Sequence, residues 1–283
     1  MGAFFSCFDR TVRIAPVFAD PRIIESTRIP IANQPTLLDA PLSTVAVMSS
    51  HNSYIRTLQH LGASSIDALR IVLDRGARCI ELDVYRDPDT LMPFVAHGKE
   101  DMPNDIITTT KVPFDTAIQF IIANAFQHTT DPLFIALELN VHENPTASDR
   151  IAEILRAHMG PILYTCQLSG TTPLRDLVGK VVLLSGGGIG SPALERIVHT
   201  QWSETFQNIP SSVPPEALQS PAYTCIRVYP EGNIQGALSL NFNPIPFLQR
   251  GATFVAMNMC TDDEHMRAYS AWFAQSSFRM KPT

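Results

Sequence analysis

The sequence predicts an α/β fold, a TIM-type (β/α)8 barrel that is distorted or incomplete in its second half. Three observations favour this fold class. The chain has 283 residues, of which 45% are hydrophobic, so it can bury one large core. Short apolar runs alternate with amphipathic segments in the first half of the chain. Several of these runs end in polar side chains that can bind metal ions or transfer protons, as strands do at the carboxyl-terminal rim of such a barrel.

The pattern predicts one catalytic domain behind a short leading segment. Residues 1–40 contain four prolines among scattered charges and are expected to form an extended lead-in on the barrel surface. Residues 41–283 are expected to form a single barrel. Its first half covers about residues 45–185 and its second half about residues 194–283, and no internal repeat is visible.

The first strand and helix follow directly from local patterns. The apolar run 45–48 predicts a strand, and His51 and Asn52 come just after it. The segment 64–67 is typical of a capped helix N-terminus, and Gly76 is a natural end for that helix. Strand, helix and next strand within about forty residues are typical of a βα repeat.

The next three strands also end in functional side chains. Cys79 opens one strand, the run 93–96 predicts a second, and the run 133–137 predicts a third. A helix is expected around residues 114–126, and another opens at Asn144-Pro145. Because the carboxyl ends of parallel strands meet at one rim, these side chains are expected to share a pocket. They are His51 and Asn52, Glu81 and Asp83, His97, and Glu138.

Patterns are weaker in the second half. A fifth strand is predicted at 181–184, followed by the glycine-rich segment 185–190. This segment lacks the spacing and the lysine of a phosphate-binding loop, so it is interpreted as a flexible connector. A short helix or strand is expected near Leu194. Beyond it, the segments 227–230 and 241–244 and an apolar strand at 254–258 are distinctive.

Composition excludes several classes of protein. The formal net charge is −6 and no Lys/Arg run is present, which argues against a nucleic-acid partner. The five cysteines are odd in number and have no metal-type spacing, so no disulfide is expected and a reducing compartment is favoured. No apolar run approaches the roughly 18 residues that a membrane span needs.

The first seven residues fit a lipidation pattern. Gly2 would be free after removal of Met1, Ser6 stands at the favoured position, and Cys7 is a candidate for palmitoylation. The pattern is short and an ordinary frayed terminus remains open as the alternative. With lipidation, the protein is expected in the cytoplasm, peripheral on the cytoplasmic face of a membrane.

Six segments, taken in order, resemble the eukaryotic phosphoinositide-specific phospholipases C. The resemblance covers roughly residues 40–283, with both the X and the Y catalytic halves and no accessory domains. The segments are 49–54, 78–83, 97–99, 137–138, 227–230 and 241–244.

The resemblance implies roles for individual residues. One catalytic calcium ion would be bound by Asn52, Glu81, Asp83 and Glu138. His51 and His97 would be the acid/base pair, and Ser203, Arg227 and Tyr229 would hold the inositol headgroup. An all-oxygen set of three carboxylates and one amide also suits calcium on chemical grounds, because zinc favours His or Cys ligands.

The function implied is cleavage of a phosphodiester. The inositol 2-hydroxyl would attack phosphorus, diacylglycerol would leave, and water would then open the cyclic phosphate. Partners would be a phosphoinositide lipid and a membrane surface, and a monomer is expected.

Relatives that cleave highly phosphorylated inositides usually carry two lysines after the fifth strand, whereas residues 184–187 here carry none. A weaker phosphate clamp is therefore expected. The segment that joins the two catalytic halves, about residues 185–198, is also shorter than the long acidic linker of many relatives.

Alternatives stay open at this point. The barrel is also compatible with a lipid-binding pseudoenzyme, or with a barrel phosphodiesterase acting on glycerophosphodiesters. The three carboxylates are compatible with rim salt bridges, although no Arg or Lys is placed to pair with all of them. Arg227 is compatible with a rim ion pair and Tyr229 with packing. The remaining histidines are interpreted as structural: His60, His128, His142, His158, His199 and His265.

Overall fold

Eight parallel strands follow one another around the barrel in chain order. The structure, a computed structural model, describes residues 28–56, 62–98, 106, 108–200, 206–219, 222–231 and 240–282. Its strands are β1 Val45–Ser50, β2 Cys79–Arg86, β3 Pro93–Val95, β4 Val112–Pro113, β5 Leu133–Asn140, β6 Val181–Ser185, β7 His199–Thr200, β8 Phe206–Pro210, β9 Cys225–Tyr229, β10 Phe254–Met257 and β11 Phe278–Met280.

Among the described residues, the strand pairing of the barrel wall is interrupted at one seam. The hydrogen-bonded order is β7-β6-β5-β2-β1-β10-β9-β8, and every neighbouring pair along this path is parallel. Within the described residues no pairing joins β7 to β8, and β7 is only two residues long. This confirms a (β/α)8 barrel that is distorted where its two halves meet.

The α-helices of the described residues, apart from the first, cover the outside of the wall. They are α1 Pro35–Leu38, α2 Ile66–Asp74, α3 Phe114–Ala125, α4 Pro145–Met159, α5 Pro192–Glu195, α6 Ile245–Gln249 and α7 Glu264–Trp272. Short 3-10 turns occupy Ile31–Asn33, Leu42–Thr44, Gly160–Ile162, Leu174–Leu177 and Pro215–Ala217. Among the described residues, no helix is long and apolar enough to cross a bilayer.

Side-chain caps begin the helices where the sequence predicts. The Ser65 hydroxyl accepts from the Ala68 N–H, and the Asn144 side chain accepts from the Ala147 N–H, so an orphan backbone donor at each N-terminus is satisfied. Gly76 follows α2 with φ +87°, a conformation that glycine adopts without penalty. These two predicted helices, and the third expected around residues 114–126, are therefore confirmed within a residue or two at their ends.

Alternation along the strands separates two apolar clusters. Odd-numbered residues of β1, such as Val47, point into the barrel and pack with Phe134 and Phe254, whose rings meet edge to face at 5.2 Å. Even-numbered residues of β1, such as Met48, pack outward against the helices. Because strand side chains alternate between faces, the parity of each strand decides which polar residue enters the interior at its carboxyl end.

The leading segment differs from the prediction. Residues 31–38 are not extended: they contain a 3-10 turn and α1, and both Ile31 and Leu37 are buried in the interior cluster. The Ile31 N–H donates to the Asp131 carboxylate at 2.8 Å, which fastens the segment to the barrel. Apolar side chains in this segment close the amino-terminal end of the barrel, and this outweighs the extended tendency of its prolines.

The strand before His97 also differs from the prediction. β3 is not a parallel barrel strand but pairs antiparallel with β2, with Val95 opposite Val84. The chain folds back on itself after β2, so His97 reaches the rim from an inserted hairpin. In the second half, β8, β11, α6 and α7 had no sequence prediction. β11 pairs antiparallel with β1.

Candidate active site

His51 is held at the rim by the end of β10. It follows β1 directly, and its backbone N–H donates to the Met257 carbonyl at 2.9 Å. Its ring nitrogen Nδ1 lies 2.9 Å from the side-chain oxygen of Asn258, while Nε2 lies 3.8 Å from Oε2 of Glu81. Burial lowers the pKa of His51, although the Glu81 charge opposes that shift.

Glu81 is a buried carboxylate with three neighbours that favour its charged form. Its Oε1 accepts from Nη2 of Arg227 at 2.5 Å, and its Oε2 accepts from the Asn52 N–H at 3.1 Å. Burial acts to raise the pKa of Glu81, but the Arg227 and His51 charges outweigh it, so that the pKa lies below its usual value. Glu81 is 5% exposed, so its charge is compensated almost entirely by protein groups.

Asp83 positions the second histidine. It lies two residues beyond Glu81 on β2 and so faces the same side, and it is 2% exposed. Its Oδ2 lies 3.2 Å from Nδ1 of His97. The His97 backbone N–H also donates to the Thr108 hydroxyl at 3.1 Å. The antiparallel hairpin therefore brings His97 to the carboxylates even though β3 is not a barrel strand.

Asn52 and Tyr54 occupy the turn after β1. Asn52 has a left-handed φ of 40°, which aims its backbone N–H at Glu81. The fully buried Tyr54 hydroxyl donates to Oδ1 of Asn52 at 3.4 Å. Burial, followed by the Asp83 charge and a hydrogen bond to Asp83, raises the pKa of Tyr54 well above its usual value. The Tyr54 hydroxyl therefore lies among the predicted metal ligands. The sequence alone did not indicate that Tyr54 is part of the site.

Glu138 lies beside Asp83 in the sheet, since the two residues are paired in the β2–β5 register. Unlike Glu81 and Asp83, it is exposed. Calcium prefers carboxylate and amide oxygens as ligands, so the chemistry of the four predicted ligands fits this ion. They are Asn52, Glu81, Asp83 and Glu138. In the described part of the chain, however, no three His, Cys, Asp or Glu residues are grouped as a metal site, and Arg227 already occupies one oxygen of Glu81.

Arg227 lies inside the barrel mouth rather than at an open headgroup position. Besides Glu81, its guanidinium contacts Oδ1 of Asn208 at 3.0 Å, and its Cζ lies 5.5 Å from the centre of the Tyr229 ring. Asn208 was missed because β8 itself was not predicted from its mixed pattern. Ser203, Gly2 and Cys7 lie outside the described residues.

The glycine-rich segment after β6 packs closely against the end of β5 and the residues that follow it. A side chain at Gly188 would come within 2.2 Å of the Leu139 carbonyl, and one at Gly190 within 2.3 Å of Glu143. Close backbone approach therefore explains Gly188 and Gly190, whereas a side chain at Gly187 would meet nothing within 4 Å. The flexible connector that the sequence predicts at 185–190 stays a prediction. Ser185 is 1% exposed and hydrogen-bonds to Gly187, and it shares the outward parity of Leu183. It is thus not placed to contact a headgroup.

Two family models match the chain. Residues 38–185 match the phosphatidylinositol-specific phospholipase C X domain, and residues 194–283 match the Y domain. Rat 1-phosphatidylinositol 4,5-bisphosphate phosphodiesterase delta-1 is 33% identical over 156 residues, covering 54% of this chain and 19% of that protein. The mouse beta-2 enzyme of the same name is 32% identical over 153 residues, covering 50% of this chain and 12% of that protein. The chain thus spans only a small part of these relatives.

Solved structures show the same fold. S. officinalis PLC21 has a TM-score of 0.73 at 20% identity and covers 87% of this chain and 37% of that one. A calcium-dependent phosphoinositol-specific phospholipase C from Pseudomonas sp has a TM-score of 0.58 at 14% identity, covering 90% of this chain and 99% of that one. At these identities the likeness shows the barrel and no more.

Proposed function

The chain belongs to the phosphatidylinositol-specific phospholipase C family, and from this premise we propose that it is a calcium-dependent phosphodiesterase. Its substrates are phosphatidylinositol or its phosphates, and its products are diacylglycerol and inositol phosphate. The reaction proceeds through attack of the inositol 2-hydroxyl on phosphorus.

One observation supports this proposal most strongly. Two histidines, His51 and His97, flank the buried carboxylates Glu81 and Asp83 at one barrel rim. Each imidazole has its Nδ1 beside an oxygen acceptor, which fixes the ring and leaves Nε2 for the substrate. Phosphodiester cleavage by an internal hydroxyl needs one group to take a proton and another to give one to the leaving oxygen.

Calcium would be held by Asn52, Glu81, Asp83 and Glu138, where it supplies positive charge that acidifies a bound hydroxyl and offsets the phosphate charge. Proton transfer and exclusion of water would be provided by the chain's own residues. His51 and His97 move protons, and the barrel interior beneath them is packed with apolar side chains that exclude water.

Arg227, Tyr229 and Ser203 are proposed to hold the inositol headgroup. Arg227 is the main cation in this group, and residues 184–187 add no charged side chain. A headgroup phosphate and Glu81 therefore compete for the same guanidinium. We propose that Arg227 would be available to the headgroup once a cation held by Glu81 replaced it beside that carboxylate.

The test is release of water-soluble headgroup from mixed micelles that contain labelled phosphatidylinositol, with calcium and with excess chelator. We expect turnover only with calcium, and its loss in His51→Ala. Lipid binding without headgroup release in calcium would instead indicate a pseudoenzyme. Release from glycerophosphodiesters but not from inositides would indicate the other barrel chemistry. Undiminished turnover in chelator would contradict the metal assignment.

We also propose that lipidation places the protein on the cytoplasmic face of a membrane. One myristoyl chain binds membranes only marginally, with K of about 10⁴ per molar, so Cys7 palmitoylation would provide the second anchor. Gly2→Ala should move the protein to the soluble fraction of cells, and Cys7→Ser should weaken its retention. Equal membrane fractions for wild type and both variants would refute this proposal.

A further inference from the structure

Asn258 is the side chain that directly contacts the His51 ring on its buried side. It follows the last residue of β10, whose carbonyl accepts the His51 backbone N–H. Its Oδ1 lies 2.9 Å from Nδ1 of His51, and the residue is 5% exposed. The backbone and the ring of His51 are therefore both bound to one strand end.

The neighbours of Asn258 determine which way its amide points. Its Nδ2 lies 3.1 Å from the backbone carbonyl of Leu240, an atom that only accepts hydrogen bonds. The amide nitrogen must therefore face Leu240, and the amide oxygen must face His51. Because that oxygen also only accepts, the proton between Asn258 and His51 belongs to Nδ1 of the ring. The neutral ring then carries its lone pair on Nε2.

A second asparagine fixes the backbone of Asn258. The Asn258 N–H donates to Oδ1 of Asn241 at 2.7 Å, and Nδ2 of Asn241 lies 3.3 Å from the Asn258 carbonyl. Asn241 in turn donates from its N–H and its Nδ2 to Oδ2 of Asp263 at 3.0 and 3.1 Å. Asp263 caps α7 by accepting from the Met266 N–H at 2.7 Å. The amide is thus supported by the amino end of a helix.

We propose that Asn258 is a positioning residue for the phosphodiesterase reaction. Its side-chain oxygen selects the Nδ1–H tautomer of His51 and aims Nε2 toward Glu81 and the substrate, while Asn241 and Asp263 hold the amide in place. The kinetic part of this inference rests on the proposed function, whereas the tautomer does not.

The neutral amide restricts where His51 exchanges protons. Nδ1 keeps its hydrogen throughout, so any proton that the ring takes from a hydroxyl forms a bond to Nε2 and leaves again from Nε2. His97 has a carboxylate, Asp83, in the corresponding place. The two rings therefore differ in the charge of their supporting group, which gives them unequal roles.

The first measurement is the tautomer of His51 in the whole protein. Long-range proton–nitrogen correlation spectra of protein labelled with ¹⁵N-histidine distinguish a protonated ring nitrogen from a bare one. The His51 signals are assigned by comparison with His51→Gln, at about pH 8, where a histidine is mostly neutral. We expect a protonated Nδ1 and a bare Nε2.

Three variants separate positioning from packing. Asn258→Leu keeps a similar shape but removes the acceptor, so we expect the protonated Nδ1 signal to disappear and kcat to fall on the order of 100-fold with KM nearly unchanged. Asn258→Asp keeps an acceptor oxygen and should retain the Nδ1–H signal. Asn243→Ala is the matched control, because Asn243 is an exposed asparagine just before α6 whose side chain accepts from the Ile245 N–H. This variant should leave the His51 signals and kcat unchanged.

The outcomes are distinguishable. A bare Nδ1 in the wild-type protein overturns the inference even if Asn258→Leu does not fold. So does an Asn258→Leu variant that keeps both the His51 signals and kcat. If the wild-type tautomer is as expected but no lipid is cleaved, the proposed function fails while the assignment of Asn258 as the support of His51 stands.

Discussion

Replacing Arg227 with methionine tests the ion pair at the centre of the site. Methionine keeps an unbranched side chain but removes the charge that Glu81 faces at 2.5 Å. The side chains of both partners are less than 10% exposed, at 8% and 7%, so little water can compensate Glu81 afterwards. Breaking a buried pair by removing one partner costs about 3 to 5 kcal/mol. At about 2 °C per kcal/mol for a chain of this size, Arg227→Met should unfold roughly 6 to 10 °C lower in chelator.

Thermal unfolding with and without calcium measures the effect. If the proposed calcium site is correct, an ion at Glu81 would replace the missing positive charge, whereas in the wild type it would first have to displace Arg227. Calcium should therefore raise the Tm of Arg227→Met by more than it raises that of the wild type. Arg227→Lys keeps a charge and should lose less stability in chelator. The double variant Arg227→Met with Glu81→Gln removes both charges and should recover part of the loss.

Two results would refute this reasoning. A Tm for Arg227→Met within about 2 °C of wild type in chelator would mean that the pair is not a buried, mutually compensating one. Equal calcium shifts in the two proteins would mean that the ion and Arg227 do not compete for Glu81.

Three further predictions concern catalysis, substrate choice and pH. His51→Ala and His97→Ala should each lower turnover on the order of 100-fold or more with little change in Tm, because acid/base groups act mainly in the transition state. Near-normal turnover of either variant would mean that the histidine is structural. Phosphatidylinositol or its monophosphate should be cleaved at least as fast as the bisphosphate in matched mixed micelles, because the segment after β6 carries no lysine to bind ring phosphates. A bisphosphate rate more than about tenfold higher, roughly 1.4 kcal/mol, would contradict this weak phosphate binding. Burial lowers the pKa of Lys281 to about 8 from 10.5. The unfolded chain therefore binds more protons between those values, and Lys281 should make stability rise with pH across that window. Lys281→Met should remove this rise, and urea unfolding of both proteins from about pH 7.5 to 10.5 checks it; parallel curves would contradict it.

Local patterns predicted the parts of the fold that are built from neighbours in sequence. The Ser65 and Asn144 caps and the stop at Gly76 are confirmed, because each depends on contacts within a few residues. The apolar runs of the first half also form strands, although β3 pairs antiparallel with β2. β8 was missed because its inward positions at the rim include the polar Asn208, which removes the apolar alternation.

The amino-acid sequence alone determined which side chains reach the rim, through the alternation of faces along each strand and the position of the strand ends. Glu81 and Asp83 share a face of β2 because they are two residues apart, and His51 follows the end of β1. These positions are a property of the sequence, and the family resemblance rests on them.

Only the tertiary structure decided the partners of these side chains. Arg227 meets Glu81 across 146 residues of chain, and His51 meets Asn258 across 207. Such contacts depend on which strands become neighbours when the sheet curls, and on a hairpin that folds back to deliver His97. No local periodicity encodes either arrangement, because the free energy of each pair is gained only after both partners are buried together.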